Sequence, residues 1–171
     1  RGEGLGNKFL ANIRETDAIC EVVRCFRDKD ITHVDGSVDP VRDVETINLE
    51  LVMADLETVD KRIGKIEKKA QTGDKEAKAE MEVLAPLKEV LEAGKMARTL
   101  SFNDEEMVYV KQFNLLTTKP MIYVANMGEE DIEDPDSNPY YIALKEYAAK
   151  EGCDVVPICA KIESELAALD A

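Results

Sequence analysis

The stretch Met121-Ile122-Tyr123-Val124-Ala125-Asn126-Met127-Gly128-Glu129 decides the fold of this chain. Its first five residues are mostly apolar and partly β-branched, which predicts a strand buried on both faces of a parallel sheet. A polar cluster follows the strand directly. Ligands of open α/β sheets bind beyond the carboxyl ends of the strands, so Asn126, Met127 and Glu129 occupy a binding position. An amide, a thioether and a carboxylate together suit a purine base.

Other segments build the same sheet and cover it. Asp154 to Ile158 predicts a strand that delivers Cys159, Ala160 and Lys161 to the edge where Asn126 lies, and Ala18 to Phe26 predicts a further core strand. Helices are predicted at Asn7 to Glu15, at Asp104 to Phe113 after a Ser101 or Asn103 cap, at Tyr140 to Lys150, and from near Glu163. The predicted fold is α/β, a parallel sheet with an inserted helical hairpin.

The hairpin is predicted from a change of period between the strands. Apolar residues recur at alternating spacings of three and four at Leu49, Val52, Leu56, Val59, Ile63, Ile66 and Ala70. This seam predicts a helix of about 28 residues, roughly 40 Å long. A returning helix follows the turn Thr72-Gly73-Asp74, with an apolar face at Ala77, Met81, Leu84, Leu87 and Leu91. Pro86 is expected to kink or interrupt that helix.

Composition limits the classes of protein that the chain could represent. With 171 residues and 44% hydrophobic side chains, it can bury a core as one domain or as a domain with an insertion. No apolar run is long enough to span a bilayer, so no membrane partner is predicted and the cytoplasm is the expected location. The four cysteines and single histidine, His33, predict neither a metal site nor a disulfide framework.

A local basic cluster stands out against the net charge of −14. The total argues against a generic nucleic-acid-binding protein, but basic side chains concentrate near the predicted hairpin turn. The predicted polyanion contacts are Lys61, Arg62, Lys65, Lys68 and Lys69. The alternative is an ordinary pair of packed helices with a solvated, charged surface.

The loops after the two strands resemble the base-recognition half of a translation-factor-class P-loop NTPase. The motifs are Asn126-Met127-Gly128-Glu129 and Cys159-Ala160-Lys161-Ile162-Glu163. They are most similar to the Obg-like ATPase (YchF-type) family, in which Asn-x-x-Glu replaces the guanine-reading Asn-Lys-x-Asp. The opening Arg1 to Glu15, the segment from Asp17 to Pro40 and the inserted hairpin also resemble this family. The resemblance extends over essentially all 171 residues.

This resemblance implies a ribosome-associated protein that binds and hydrolyses ATP in preference to GTP. The base-binding residues would be Asn126, Met127, Glu129, Cys159, Ala160 and Lys161. Residues 1–40 and 99–171 would form part of the nucleotide-binding domain, with 41–98 as the inserted hairpin. The phosphate loop, the Mg²⁺ ligands and a carboxy-terminal TGS domain would lie outside this span. The chain is therefore expected to be an internal part of its protein, without catalytic residues and inactive alone.

Three alternatives stay open from the sequence. The chain could be a non-catalytic interaction module that uses the helical hairpin as a docking arm. It could instead be an Obg-related GTPase, although Glu129 in place of Asp argues against this, because a longer carboxylate need not reach the guanine N1–H and amine. Finally, Asn126 could serve only to connect neighbouring loops.

Overall fold

The computed structural model describes residues 6–27 and 38–169, so His33 and the first five residues lie outside the described part. Its helices are α1 (Asn7–Arg14), α2 (Pro40–Gln71), α3 (Lys75–Glu92), α4 (Asp104–Phe113), α5 (Pro139–Glu151) and α6 (Ala160–Leu169). Its strands are β1 (Ile19–Arg24), β2 (Met121–Asn126) and β3 (Asp154–Ile158). The predicted α/β architecture is confirmed. Among the helices of the described part, none has the length and apolarity that crossing a bilayer requires.

The three strands form one parallel sheet in the order β1-β2-β3. Ile19 pairs with Met121 and Ile122 pairs with Asp154, which places β2 at the centre. Helix α5 packs on β2 and β3, and the rings of Tyr123 and Tyr147 lie 6.3 Å apart. The predicted parallel sheet is confirmed.

The prediction that β2 is fully buried on both faces is wrong. Burial alternates along β2, with Tyr123 and Ala125 buried and Val124 half-buried. On the face that carries Val124, the neighbouring strands expose Val22 by 65% and Val156 by 41%. A continuous apolar run shows that a strand can be buried on both faces, but the neighbouring elements decide whether it is.

Helices α2 and α3 form the predicted antiparallel hairpin. Across the pair, the Lys88 ammonium lies 3.2 Å from the Asp60 carboxylate, and the Arg62 Nη2 group lies 2.8 Å from Glu80 Oε1. Helix α2 has 32 residues, so it is about 48 Å long. The turn also forms as predicted: Gly73 has a φ of +100°, and the Asp74 side chain caps α3 by accepting a hydrogen bond from Ala77 N at 2.9 Å.

Details of the helix predictions require correction. The predicted seam residues Val52, Val59 and Ile66 are buried, but Leu49 is 54% exposed. The seam omitted other buried residues of α2, which are Val44, Asn48, Leu51 and Asp55. Pro86 lies inside α3 without interrupting it. Asn103 rather than Ser101 caps α4, in a capping box with Glu106. Helix α6 begins at Ala160, before the predicted Glu163.

A buried carboxylate connects α2 to the segment that follows α4. Asp55 Oδ1 accepts a hydrogen bond from Leu116 N at 2.8 Å, and Oδ2 accepts from Thr117 N at 2.7 Å and Thr117 Oγ1 at 2.6 Å. The Thr117 hydroxyl in turn accepts from Ala97 N at 2.9 Å. Burial raises the pKa of Asp55, and the three hydrogen bonds offset part of that effect.

The chain divides into two compact units. The helical unit consists of Arg1–Asp17 and Ile47–Pro120, and the sheet unit consists of Ala18–Thr46 and Met121–Ala171. All of the predicted base-binding residues belong to the sheet unit, and all of the predicted polyanion contacts belong to the helical unit. The division into a nucleotide-binding part at 1–40 and 99–171 and a functional insertion at 41–98 stays a prediction.

Candidate functional site

Two loops meet at the carboxyl edge of the sheet. Strands β2 and β3 are parallel neighbours, and Asn126 pairs with Ile158. Both strands therefore end at the same edge of the sheet. Beyond the strands, Met127 N donates a hydrogen bond to Ile158 O at 2.8 Å. The segment 126–129, from the last residue of β2 onward, therefore lies beside the segment 158–161, which runs from the last residue of β3 into the first turn of α6. We call these segments the β2 loop and the β3 loop. This is the edge at which open α/β sheets bind ligands.

Asn126 links the two loops and retains a donor. Its Oδ1 atom accepts a hydrogen bond from Ala160 N at 3.1 Å. Its main-chain oxygen accepts from Cys25 N at 2.8 Å, which also connects β2 to the end of β1. The Nδ2 group has no hydrogen-bond partner among residues 6–27 and 38–169. Asn126 thus serves the loop-connecting role, and its amide N–H groups remain available to a ligand.

Glu129 and Lys161 form the outermost link between the β2 and β3 loops. The Lys161 ammonium lies 3.3 Å from Glu129 Oε1, and both side chains are largely exposed. The hydrogen bond and the negative charge of Glu129 raise the pKa of Lys161, so the ammonium stays charged. Among residues 6–27 and 38–169, nothing bonds to Glu129 Oε2, so this oxygen can accept a hydrogen bond from a ligand.

Two further predicted site residues have buried side chains. Met127 is 2% exposed, and Cys159 is also buried. The main-chain oxygen of Cys159 accepts from Glu163 N at 3.1 Å, at the start of α6. Both side chains therefore contribute to packing beneath the loops, whereas Ala160 is exposed beside them. A contact between the Met127 thioether and a bound ring would require that side chain to turn outward.

The structure brings Phe26 to this edge, which was not predicted from the sequence. Phe26 follows β1 and is half-buried, and a Cβ atom on Gly128 would lie 4.0 Å from its Cβ. The Arg24 guanidinium lies 5.8 Å from the centre of the Phe26 ring. The signal that could have identified Phe26 is its position immediately after a strand of the same parallel sheet.

Asn138 is a second residue that was not predicted. This buried side chain caps α5, because its Oδ1 atom accepts hydrogen bonds from Tyr140 N at 2.8 Å and Tyr141 N at 3.2 Å. Its Nδ2 group donates to Cys25 O at 2.7 Å and to Asp131 Oδ2 at 3.1 Å. Asn138 therefore fixes the segment after the β2 loop to the end of β1. An Asn directly before Pro139 was the available capping signal.

The predicted polyanion contacts divide into two groups. Arg62 is held by the buried carboxylate of Glu80, with both Oε atoms within 3.1 Å of its Nε atom, and Lys61 pairs with Glu57 at 2.9 Å. Lys65, Lys68 and Lys69 are exposed and form no ion pair with any other residue in the described ranges. We call these three residues the arm lysines. Positions i, i+3 and i+4 of a helix share one face, so the arm lysines form a continuous positive surface.

Comparison with known proteins gives close relatives over nearly the whole chain, although no family model matches it. It is 54% identical over 170 residues to the ribosome-binding ATPase YchF of Bacillus subtilis and 49% identical over 170 residues to that of Escherichia coli O157:H7. Each alignment includes 99% of this chain and 46% of the relative. A solved structure described as the Schizosaccharomyces pombe YchF GTPase matches 96% of the chain with a TM-score of 0.85 and 34% identity.

The parallel sheet, the paired loops and the inserted hairpin define part of a P-loop NTPase-type α/β protein. The chain spans about half the length of the curated relatives it matches. Within that class, the relatives that it matches along 99–100% of its own length are named ribosome-binding ATPase YchF. The printed names of these proteins differ, since the bacterial relatives are called ATPases and the yeast protein is called a GTPase.

Proposed function

We propose that this chain recognises the base of ATP in a ribosome-associated, nucleotide-hydrolysing protein. The observation that carries the proposal is the pairing of the β2 and β3 loops at the carboxyl edge of the sheet. Within the described part of the chain, the Asn126 Nδ2 group and the Glu129 Oε2 atom have no partner. The relatives named as ribosome-binding ATPases support the same activity and partner. A cytoplasmic location is part of this proposal.

Hydrogen bonding provides the proposed preference for adenine. The Nδ2 group of Asn126 donates to a purine ring nitrogen, an acceptor that adenine and guanine share. The Glu129 carboxylate accepts from the exocyclic amine of adenine. At the same ring position guanine carries a carbonyl oxygen, which a carboxylate repels, so the site disfavours guanine. Phe26 offers a ring against which the base can stack.

The other site residues support these contacts. Ala160 fixes Asn126 through its main-chain N–H group, and the buried side chains of Met127 and Cys159 hold the loops in place. Hydrolysis belongs to the whole protein and uses Mg²⁺, as in other P-loop NTPases. No cluster of metal ligands occurs within residues 6–27 and 38–169, so no step of the reaction is assigned to this chain.

Nucleotide titration of the natural full-length protein tests the proposal. The variant Glu129→Asp should shift binding preference toward GTP, because a shorter carboxylate can accept from the guanine N1–H and amine. Glu130→Asp makes the same chemical change one residue away and should leave the preference unchanged. An ATP:GTP affinity ratio that is the same in Glu129→Asp and the wild type contradicts recognition by Glu129.

The helical hairpin supports a second function, contact with ribosomal RNA. The arm lysines are exposed, lie on one helix face and form no ion pair in the described residues, and phosphate binding would offset their mutual repulsion. Lys61 and Arg62 are included in this proposal as flanking charges that their partners Glu57 and Glu80 orient. Ribosome binding without measurable nucleotide binding would favour the docking module, and tighter binding of GTP would favour the Obg-related GTPase.

A further inference from the structure

We propose that Lys161 is a positioning residue that sets the base preference by holding the Glu129 carboxylate in place. The inference rests on the proposed function, since Glu129 matters only if a base binds beside it. It assigns Lys161 a role through another side chain instead of a direct contact with the base.

Of the bonds between the β2 and β3 loops in the described residues, only the one with Lys161 restrains the Glu129 side chain. The bond from Met127 N to Ile158 O joins main chain to main chain, and the bond from Ala160 N ends on Asn126. Neither restrains Glu129. Within the described residues, the only hydrogen bond or ion pair of the Glu129 carboxylate is the one with Lys161, at 3.3 Å. Without Lys161, the rotamers of this exposed side chain are unrestricted.

Lys161 is the better anchored of the two partners. It lies in the first turn of α6, whose start is fixed by the bonds of Ala160 and Cys159. A cation in the first turn opposes the helix dipole, so the position gives the helix no electrostatic benefit. The ion pair with Glu129 accounts for a lysine at this position and explains the raised pKa of Lys161.

The ion pair gives the two carboxylate oxygens of Glu129 different roles. Oε1 of Glu129 faces the Lys161 ammonium, and Oε2 is left to accept from an exocyclic amine. Preorganisation of a hydrogen-bond acceptor lowers the entropic cost of binding. Guanine gains nothing from this acceptor, so loss of Lys161 should weaken the binding of ATP more than the binding of GTP.

The test measures ATP and GTP dissociation constants of the natural full-length protein and its variants. Lys161→Met should lower the preference for ATP by about two- to five-fold, the range expected of an exposed ion pair. Lys161→Arg keeps a cation and should retain most of the preference. Lys145→Met is the matched control, because it removes another exposed ion pair of the sheet unit, with Asp136 at 3.2 Å.

Salt provides a readout that a purely structural role would not change. Exposed ion pairs are screened as ionic strength rises, so the wild-type ATP:GTP ratio should fall with added KCl and the Lys161→Met ratio should stay flat. Circular dichroism of each variant confirms that the fold is retained.

Glu129→Gln separates base recognition by Glu129 from positioning by Lys161. If Glu129→Gln leaves the ratio unchanged, recognition by Glu129 is wrong and the positioning role is wrong with it. If Glu129→Gln lowers the ratio but Lys161→Met does not, only the positioning role is overturned. Equal weakening of ATP and GTP in Lys161→Met would also overturn it, by showing that Lys161 contacts a part of the nucleotide that both share.

Discussion

At Asp55, a carboxylate with 0% exposure is held by three hydrogen-bond donors. Replacing it with Asn keeps the shape but turns an amide donor toward some of those donors. We expect Asp55→Asn to lower the free energy of unfolding by about 2–4 kcal/mol, because buried donors lose their acceptor. Urea denaturation measures the change. Asp60→Asn, at an exposed ion pair of the same helix, is the control and should cost less than about 1 kcal/mol.

The cost of Asp55→Asn should also depend on pH. Burial raises the pKa of Asp55 above its ordinary value of 3.8 in the folded protein. Its stabilising contribution is therefore complete below the unfolded-state pKa and is lost as pH rises through the higher folded-state pKa. The gap in unfolding free energy between wild type and variant should narrow as pH rises from the ordinary carboxyl pKa of 3.8 through the higher folded-state pKa. A gap that widens over this range would show that the hydrogen bonds outweigh burial.

Cys20, in β1, and Cys25, directly after it, should differ in their reactivity toward alkylating reagents. Burial raises the pKa of the Cys25 thiol to about 12, whereas Cys20 is exposed. Because the thiolate is the reacting species, we expect iodoacetamide to modify Cys20 readily and Cys25 only after denaturation. Mass spectrometry of the alkylated peptides measures this. Similar rates for both residues in the native protein would contradict the burial of Cys25.

The residues that were predictable from the sequence differ physically from those that were not. Asn126 ends an apolar strand, so its place at the sheet edge depends on local pattern alone. The burial of Asp55 depends on donors at Leu116 and Thr117, more than 60 residues away. A period of apolar residues contains no information about such partners, which is why the predicted seam of α2 placed Leu49 inside and omitted Asp55.

At the scale of elements, the arm lysines give the hairpin a testable surface. The triple variant Lys65→Gln, Lys68→Gln, Lys69→Gln should weaken ribosome binding by the full-length protein. It should also flatten the salt dependence by about one unit of log–log slope for each phosphate that is no longer neutralised. Cosedimentation at several salt concentrations measures both effects.

A triple variant of equal charge provides the control for this experiment. Lys8→Gln, Lys95→Gln and Lys111→Gln change exposed lysines outside the hairpin helices, so ribosome binding should change little. Circular dichroism should show an unchanged helical content in both triple variants. If the arm triple variant folds and binds with the wild-type affinity and salt slope, its lysines form only a solvated surface.

The bounds of elements with strong local sequence signals were predicted to the residue. The bounds and burial of elements that depend on contacts with other elements were not. Strand β3 and helix α4 match their predicted bounds, because a Pro-containing β-branched run and an Asn-capped acidic turn are local features. Helix α6 starts earlier than predicted because Asn126, at the end of β2, accepts a hydrogen bond from Ala160 N. The burial of the β2 face that carries Val124 depends on the elements that pack against it, and the sequence of the strand does not specify those elements.

At the scale of the whole molecule, we expect the 171-residue chain alone to show no ATP hydrolysis. Its sequence contains no Gly-x-x-x-x-Gly-Lys-Ser/Thr loop, and the phosphate loop with its metal ions supplies most of the stabilisation of the transferring phosphoryl group. Phosphate release with Mg²⁺ and ATP measures this, with the natural full-length protein as the positive control. Turnover that follows the 171-residue chain through several purification steps would contradict the expectation.

The register of the sheet also has a consequence for how the chain folds. Strands β1 and β2 pair residues roughly 100 positions apart, so their contact closes a long loop at a high entropic cost. The contacts between α2 and α3 are much closer in sequence, as with Arg62 and Glu80. Because local contacts form fastest, the hairpin should form early and shorten the effective loop between the strands. Substitutions in the hairpin interface should therefore slow refolding, whereas substitutions at the β1–β2 pairing should mainly speed unfolding.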